Sequence, residues 1–304
     1  MLIKRILKDC NEKYSSPKNR CYKCDHPSEC PGNCNECLRQ IHFDADKEDK
    51  RHSYNCRRLA RYYVCKYAFK YTSEMFYALD GIDKLSHADN LNVLSIGCGP
   101  CTDLFAFDYL RESGKYRFNK LEYVGVEPLD AWREIQEQIQ IQCCKTNMQT
   151  YFEHNRIQDF LPILTKDRYK SDVIIMNYFL SDFCKYGGEN SVIDFLRKIV
   201  YYIVNVSPDA VIIINDINLD CSRGGGRDYF NALFKMLELS GFECVRRHFD
   251  NSNKPTHFDY GDEYSSNELI FTNELIFTNE LIFKYNYYEP YRSCSSAQII
   301  IYKE

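Results

Sequence analysis

The sequence predicts an α/β protein with a doubly wound parallel sheet, and three observations carry that prediction. From residue 91 onward, apolar runs of strand length alternate with stretches of helical periodicity. The runs are apolar at successive positions, as strands are when helices cover both faces of a sheet. The first run ends in "IGCGPC", a glycine-rich turn leading directly into a helix.

Taken in order, "LNVLSIG" (91–97) is a buried strand, and "TDLFAFDYLRES" (102–113) is a helix closed by Gly114. "EYVGVEP" (122–128) is a second strand, followed by a helix through "DAWREIQEQIQIQ" (130–142). "TYFEH" (150–154) is a weaker third strand. "DVIIMNYFL" (172–180) is a fourth, with a helix from about Ser191 that stops at Ser207-Pro208. "AVIIINDI" (210–217) is a fifth, before a helix from about Arg227 to Ser240 closed by Gly241. "FECVRRHF" (242–249) and "AQIIIYK" (297–303) complete a sheet of seven strands.

Two zones precede this domain. Residues 1–52 are polar and cysteine-rich, a small module that needs a staple. Residues 53–90 connect it to the domain at 91–304, and Ser53 to Leu79 reads as one long helix. Leu59, Tyr62, Tyr63, Lys66, Phe69 and Lys70 fall at helical spacing, leaving an aromatic stripe beside a basic one. Within a 250–296 insertion, residues 267–284 read NELIFT, NELIFT, NELIFK, which we take as a tandem duplication with one copy fitting the fold.

The staple is legible in "CYKCDHPSECPGNCNEC" (21–37). Cys21-x2-Cys24 and Cys34-x2-Cys37 each can close a chelate on one metal, with Cys30 spare or replacing one of the four. Zinc in a closed structural site is the first reading, and an iron–sulfur cluster held by four cysteines is the alternative. Cys30-x3-Cys34-x2-Cys37 also matches the spacing of radical S-adenosylmethionine enzymes. No strand–helix repeats surround it, however, and Glu36 stands where that family usually has an aromatic.

Composition sets the compartment and the partners. No run of 18 apolar residues exists and "MLIKRILKDC" does not read as a signal peptide, so a cytoplasmic, reducing location with free or metal-bound thiols is expected. Residues 1–80 carry 16 Lys/Arg against 11 Asp/Glu, whereas the whole chain has a net charge of −4. The stretch 51–73 has six basic residues and no acidic one, which points to an acidic macromolecule such as RNA as a partner.

The glycine-rich turn carries the cofactor signal. Gly97 and Gly99 let the backbone approach a ligand at a helix N-terminus, and Glu127, 28 residues after Gly99, closes the second strand where it can accept from a ribose diol. Thr102 stands where a dinucleotide fingerprint needs a third glycine, which disfavours a pyrophosphate. The arrangement resembles the class I S-adenosylmethionine-dependent methyltransferases over about residues 91–304. The resemblance implies that Gly97, Cys98 and Gly99 line the methionine moiety and that Glu127 binds the ribose. Pro128 and Leu129 would border the adenine, and Asp159 (or Asn155) would contact its amine. Asn177 and Tyr178 would face the methyl group and acceptor. Ser95 departs from the family, which often has an acidic residue there.

The expected activity is methyl transfer to an acceptor that is RNA, protein or a small molecule. Asn177, Tyr178 and Asp182 are the candidate catalytic residues, with Asp216 and His248 as further candidate bases. The alternative is a catalytically inactive protein of the same fold that serves as a metal-containing binding or assembly factor.

Overall fold

The structure is a computed structural model that describes residues 1–15, 33–43, 54–221, 224–248 and 296–303. Seven strands form one sheet: β1 (Asn90–Ile96), β2 (Lys120–Val126), β3 (Met148–Glu153), β4 (Val173–Asn177), β5 (Val211–Ile217), β6 (Glu243–His248) and β7 (Ser296–Tyr302). Their order is β3-β2-β1-β4-β5-β7-β6. β1 to β5 run parallel, and β7 is antiparallel to both neighbours, β5 and β6. The chain therefore winds outward in both directions from the β1/β4 junction. In an open α/β sheet the crevice at the carboxyl ends of those two strands is where ligands bind.

Period-two alternation divides each strand between two cores. Val93, Ile175, Ile213 and Ile300 face one side, together with helices α1 (Leu2–Ser15), α3 (Arg57–Leu79), α5 (Thr102–Glu112) and α6 (Arg133–Cys143). Leu94, Ile174, Ile212 and Ile299 face the other, against α7 (Ile157–Lys166), α9 (Glu189–Val206) and α10 (Asp228–Glu238). α4 (Asp83–Ser86) is a single turn that leads into β1, and α8 (Leu180–Gly187) is a short helix that the sequence reading did not separate from β4.

The N-terminal segment differs from the expectation. Leu2, Ile3, Ile6, Leu7, Cys10 and Tyr14 form one apolar face of α1, and that face packs against α3 within the same core as the sheet. α2 (Cys34–Phe43) adds Cys34, Leu38 and Ile41 to this core. Burial of such side chains contributes roughly 1.5–3 kcal/mol each to holding the two helices on the sheet. Cys34 sits buried beside Tyr14, in hydrogen-bond contact with it, and Cys37 is half-buried. Cys21, Cys24 and Cys30 lie outside the described residues. Among the described residues no group of three or more His, Cys, Asp or Glu side chains could hold a metal ion, so the zinc reading finds no support there. The NELIFT repeats also lie outside the described residues.

α3 also departs from the amphipathic helix expected, because α1 and α2 cover its outer side and it is buried almost all round. Its cations are consumed internally. Arg57 and Arg61 pair with Glu134, Arg58 lies over the Tyr14 ring, Lys66 donates to Asn35 Oδ1 at 2.6 Å, and Lys70 stands 3.8 Å from Glu74. No described helix is long and apolar enough to cross a membrane.

Candidate functional site

The site is built where β1 and β4 diverge. The backbone leaves β1 through Gly97 (φ +66°) and Gly99 (φ +46°), and the N–H groups of Gly97 and Cys98 both donate to Val126 O, at 2.9 and 3.2 Å. These bonds clamp the loop onto the end of β2. A Cβ on Gly97 would lie 2.5 Å from Phe179 Cδ2, and Phe179 is wedged against Phe183 and Phe195 at ring separations of 5.2 and 5.3 Å. Gly97→Ala therefore adds left-handed strain and displaces Phe179. It should weaken ligand binding at this crevice at least tenfold, measured by calorimetry on a variant whose circular dichroism shows retained structure.

Glu127 follows β2 directly and is 6% exposed. Its Oε2 accepts the Gly99 N–H at 3.1 Å and its Oε1 accepts the Leu129 N–H at 2.9 Å. One carboxylate thus joins the glycine loop to the segment after β2. Each oxygen accepts one N–H and retains a further acceptor position. Burial pushes the Glu127 carboxyl up to about 7, against the pull of the two N–H bonds.

The end of β4 is held by a second network. Asn177 Nδ2 donates to Thr102 Oγ1 at 3.0 Å, and its Oδ1 accepts from Asn215 Nδ2 at 2.8 Å. Tyr178 has a left-handed backbone (φ +53°), an uncommon conformation for an aromatic residue. Its N–H is bonded to Asn215 O at 2.7 Å, its ring lies 4.0 Å from that of Tyr71, and its hydroxyl donates to Glu74 Oε2 at 2.9 Å. Glu74 has no solvent exposure; it also accepts from Asn215 Nδ2 at 3.3 Å, and its carbonyl accepts from Gln298 Nε2 at 2.7 Å. The sequence reading missed Glu74. Its one signal is that it is the first acidic residue after Asp49, set in a basic and aromatic helix.

These two networks wall a cavity of about 440 Å³, lined among others by Gly97, Glu127, Pro128, Leu129, Ile157 and Asp182. A smaller volume of about 70 Å³ shares Gly97, Glu127, Tyr178 and Asp182 with it. Cys98, Gly99 and Asn177 line this second part, under Tyr63, Tyr71 and Trp132. The structure thus brings together Gly97, Cys98, Gly99, Glu127, Pro128, Leu129, Asn177, Tyr178 and Asp182. It does not bring Asp159 to the cavity: Asp159 is exposed on the first turn of α7, and Arg156, Ile157 and Gln158 supply that wall. Asn155 is exposed as well. Trp132, Tyr63 and Tyr71 went unassigned by sequence because they reach the site from helices outside the glycine motif.

Among the candidate bases, Asp182 lines both parts of the cavity from α8. Burial and the nearby Asp216 charge push its carboxyl up to about 7, with Lys185 opposing. Asp216 is fully buried and has a different task. It accepts the N–H of Ser181 at 2.9 Å and of Ile217 at 2.7 Å, tying the start of α8 to β5. His248 stands in β6, the sheet edge three strands from β4.

The sheet is the seven-stranded, doubly wound α/β sheet expected from sequence. Its strand order reverses at β1/β4, and its last strand inserts antiparallel between β5 and β6. Solved structures similar to the chain include magnesium protoporphyrin IX methyltransferase from Synechocystis with bound S-adenosylmethionine, at 10% identity and TM-score 0.43. That likeness covers 98% of this chain and 97% of the other. Another is a precorrin-6y C5,15-methyltransferase from Geobacter metallireducens, at 13% identity and TM-score 0.40, covering 77% and 87%. No family model matches the chain, and no curated protein matches it.

Proposed function

We propose that this chain is an S-adenosylmethionine-dependent methyltransferase. The observation that carries the reading is Glu127. Its carboxylate is locked to the glycine loop at the switch-point cavity, with one acceptor position left on each oxygen for a pair of neighbouring hydroxyls. The cavity fits the group: Gly97 and Gly99 put no side chain between backbone and ligand at their positions, and Leu129 and Ile157 offer apolar surface to a planar base. When bound, the cofactor supplies a methyl group on a positively charged sulfur.

The chain's own residues bind, orient and accept a proton. Glu127 accepts from the ribose hydroxyls, and the loop at Gly97–Gly99 abuts the amino-acid end. Tyr178, fixed by Glu74 and Tyr71, forms the rigid wall opposite. Asp182, the carboxylate shared by both parts of the cavity, takes the proton that the acceptor loses, since a group titrating near 7 is half ionised at neutral pH. Orientation is the larger contribution, because holding two reactants in line replaces a bimolecular encounter.

The direct test supplies S-adenosylmethionine with a tritiated methyl group to RNA, protein and small-metabolite pools and follows the label. Label in one pool establishes the activity and the acceptor class together. Cofactor binding with label in none supports the inactive binding-factor reading, which Ser95, buried and absent from the cavity lining, favours. With the described cations of α3 all engaged internally, the basic stretch 51–73 no longer singles out RNA among the three pools. For the identified acceptor, kcat should rise with pH through about 7 as Asp182 ionises. Asp182→Asn should lower kcat at least a hundredfold and remove that limb of the profile.

A further inference from the structure

Two cysteines flank the turn of the cofactor loop. Cys101 N–H donates to Cys98 O at 2.7 Å, a four-residue turn that draws the two α-carbons within about 7 Å, inside the range a disulfide spans. Their side chains are in hydrogen-bond contact with each other. Cys101 has a left-handed backbone at φ +59°, ψ 45°, a conformation that favours glycine, and its thiol is held at the start of α5. Cys98 lines the smaller part of the cavity and is 6% exposed, whereas Cys101 has no exposure. The Cys98 sulfur also accepts from Gln136 Nε2 at 3.6 Å and fills the space over Gly125, where a Cβ would lie 2.8 Å from it.

We propose that Cys98 and Cys101 form an oxidisable dithiol that peroxide converts to a disulfide, and that the disulfide disables the cofactor loop. Hydrogen peroxide reaching Cys98 through the cavity oxidises its sulfur to a sulfenic acid and leaves as water. The Cys101 thiol then attacks that sulfur, forming the S–S bond and releasing a second water. Two thiols and one peroxide thus give one disulfide and two waters. The bond pulls the Cys98 sulfur away from Gln136 and Gly125, and with it the loop that Glu127 holds through the Gly99 N–H. Burial pushes both thiols up, so the pair oxidises more slowly than the exposed Cys144.

The effect on binding rests on the cofactor reading above; formation of the disulfide does not. The experiment exposes the whole chain to hydrogen peroxide overnight, with complete reaction of Cys144 as the control that the oxidant was sufficient. Unreduced digests are then read for a 98–101 cross-link by mass, and S-adenosylhomocysteine is titrated calorimetrically before and after. The expected result is a cross-link in the wild type that is absent in Cys101→Gly, with binding weakened at least tenfold and restored by dithiothreitol. By linkage, a tenfold weakening raises the potential of the pair by about 30 mV when S-adenosylhomocysteine is bound, so saturating ligand should protect the thiols. Thiols still alkylatable after overnight exposure overturn the proposal, as does a cross-link that leaves affinity unchanged. If the reduced protein fails to bind S-adenosylhomocysteine, the cofactor reading falls and the coupling with it, while the cross-link still decides whether the dithiol exists.

Discussion

Glu127→Ala should lower the affinity for S-adenosylhomocysteine by about a hundredfold or more, leaving a chain that still folds. Two hydrogen bonds from ligand hydroxyls to a carboxylate are lost, each contributing about 1.5–3 kcal/mol. The Gly99 and Leu129 N–H groups lose their partner too, so the loop loses its fixed geometry. Water entering the open cavity limits the damage to the fold itself. The same residue sets a pH dependence. The Glu127 carboxyl is raised to about 7 by burial, so the folded chain holds its proton to higher pH than the unfolded chain does. Its contribution to stability is therefore full below the ordinary carboxylate range and is lost as pH rises through about 7. Ligand hydroxyls favour the ionised form, so affinity should rise from pH 6 to pH 8, with protons released on binding near pH 6. Glu127→Gln should flatten that rise, as measured by calorimetry in buffers of different ionisation enthalpy.

Glu74→Ala should cost about 3–5 kcal/mol of stability, among the largest single-residue effects expected in this chain. Three buried groups depend on that carboxylate: the Tyr178 hydroxyl, the Asn215 amide and the Lys70 ammonium. Removing it takes the hydroxyl's acceptor from Tyr178, leaves Asn215 with Asn177 Oδ1 alone, removes the carboxylate beside Lys70, and frees Tyr178 from the left-handed conformation that shapes the cavity wall. At about 2–4 °C per kcal/mol, the melting temperature should fall by roughly 6–20 °C. Glu74→Gln retains one acceptor and a similar shape and should recover about half of that loss. A variant melting within 2 °C of the wild type would show that the network does not hold β4 in place.

The strands were legible because residues such as Ile174 and Ile175 face two different cores, and no solvated face interrupts their apolar pattern. Gly97, Gly99 and Glu127 were legible because they stand at the ends of β1 and β2, on consecutive strand–helix units that the apolar pattern marks. α1 was overlooked although Leu2, Ile3, Ile6, Leu7 and Cys10 have helical spacing, because the nearby cysteines drew the reading toward a metal. Asp159 falls just beyond the cavity wall that Arg156, Ile157 and Gln158 supply: α7 begins at Ile157, and which side of its first turn meets the cavity depends on how the helix docks. Glu74 was invisible because its partners lie 104 and 141 residues away, and only the folded sheet brings them together. The use of each thiol was likewise unreadable, since nothing local distinguishes Cys34, sealed against Tyr14, from a metal ligand.

Calorimetric titration of S-adenosylhomocysteine into the reduced wild-type chain tests the central claim most directly. The account predicts saturable binding of about one ligand per chain, abolished or weakened at least a hundredfold in Glu127→Ala. Absence of heat, with no shift in melting temperature at millimolar ligand, would contradict it and leave the switch-point cavity without its cofactor.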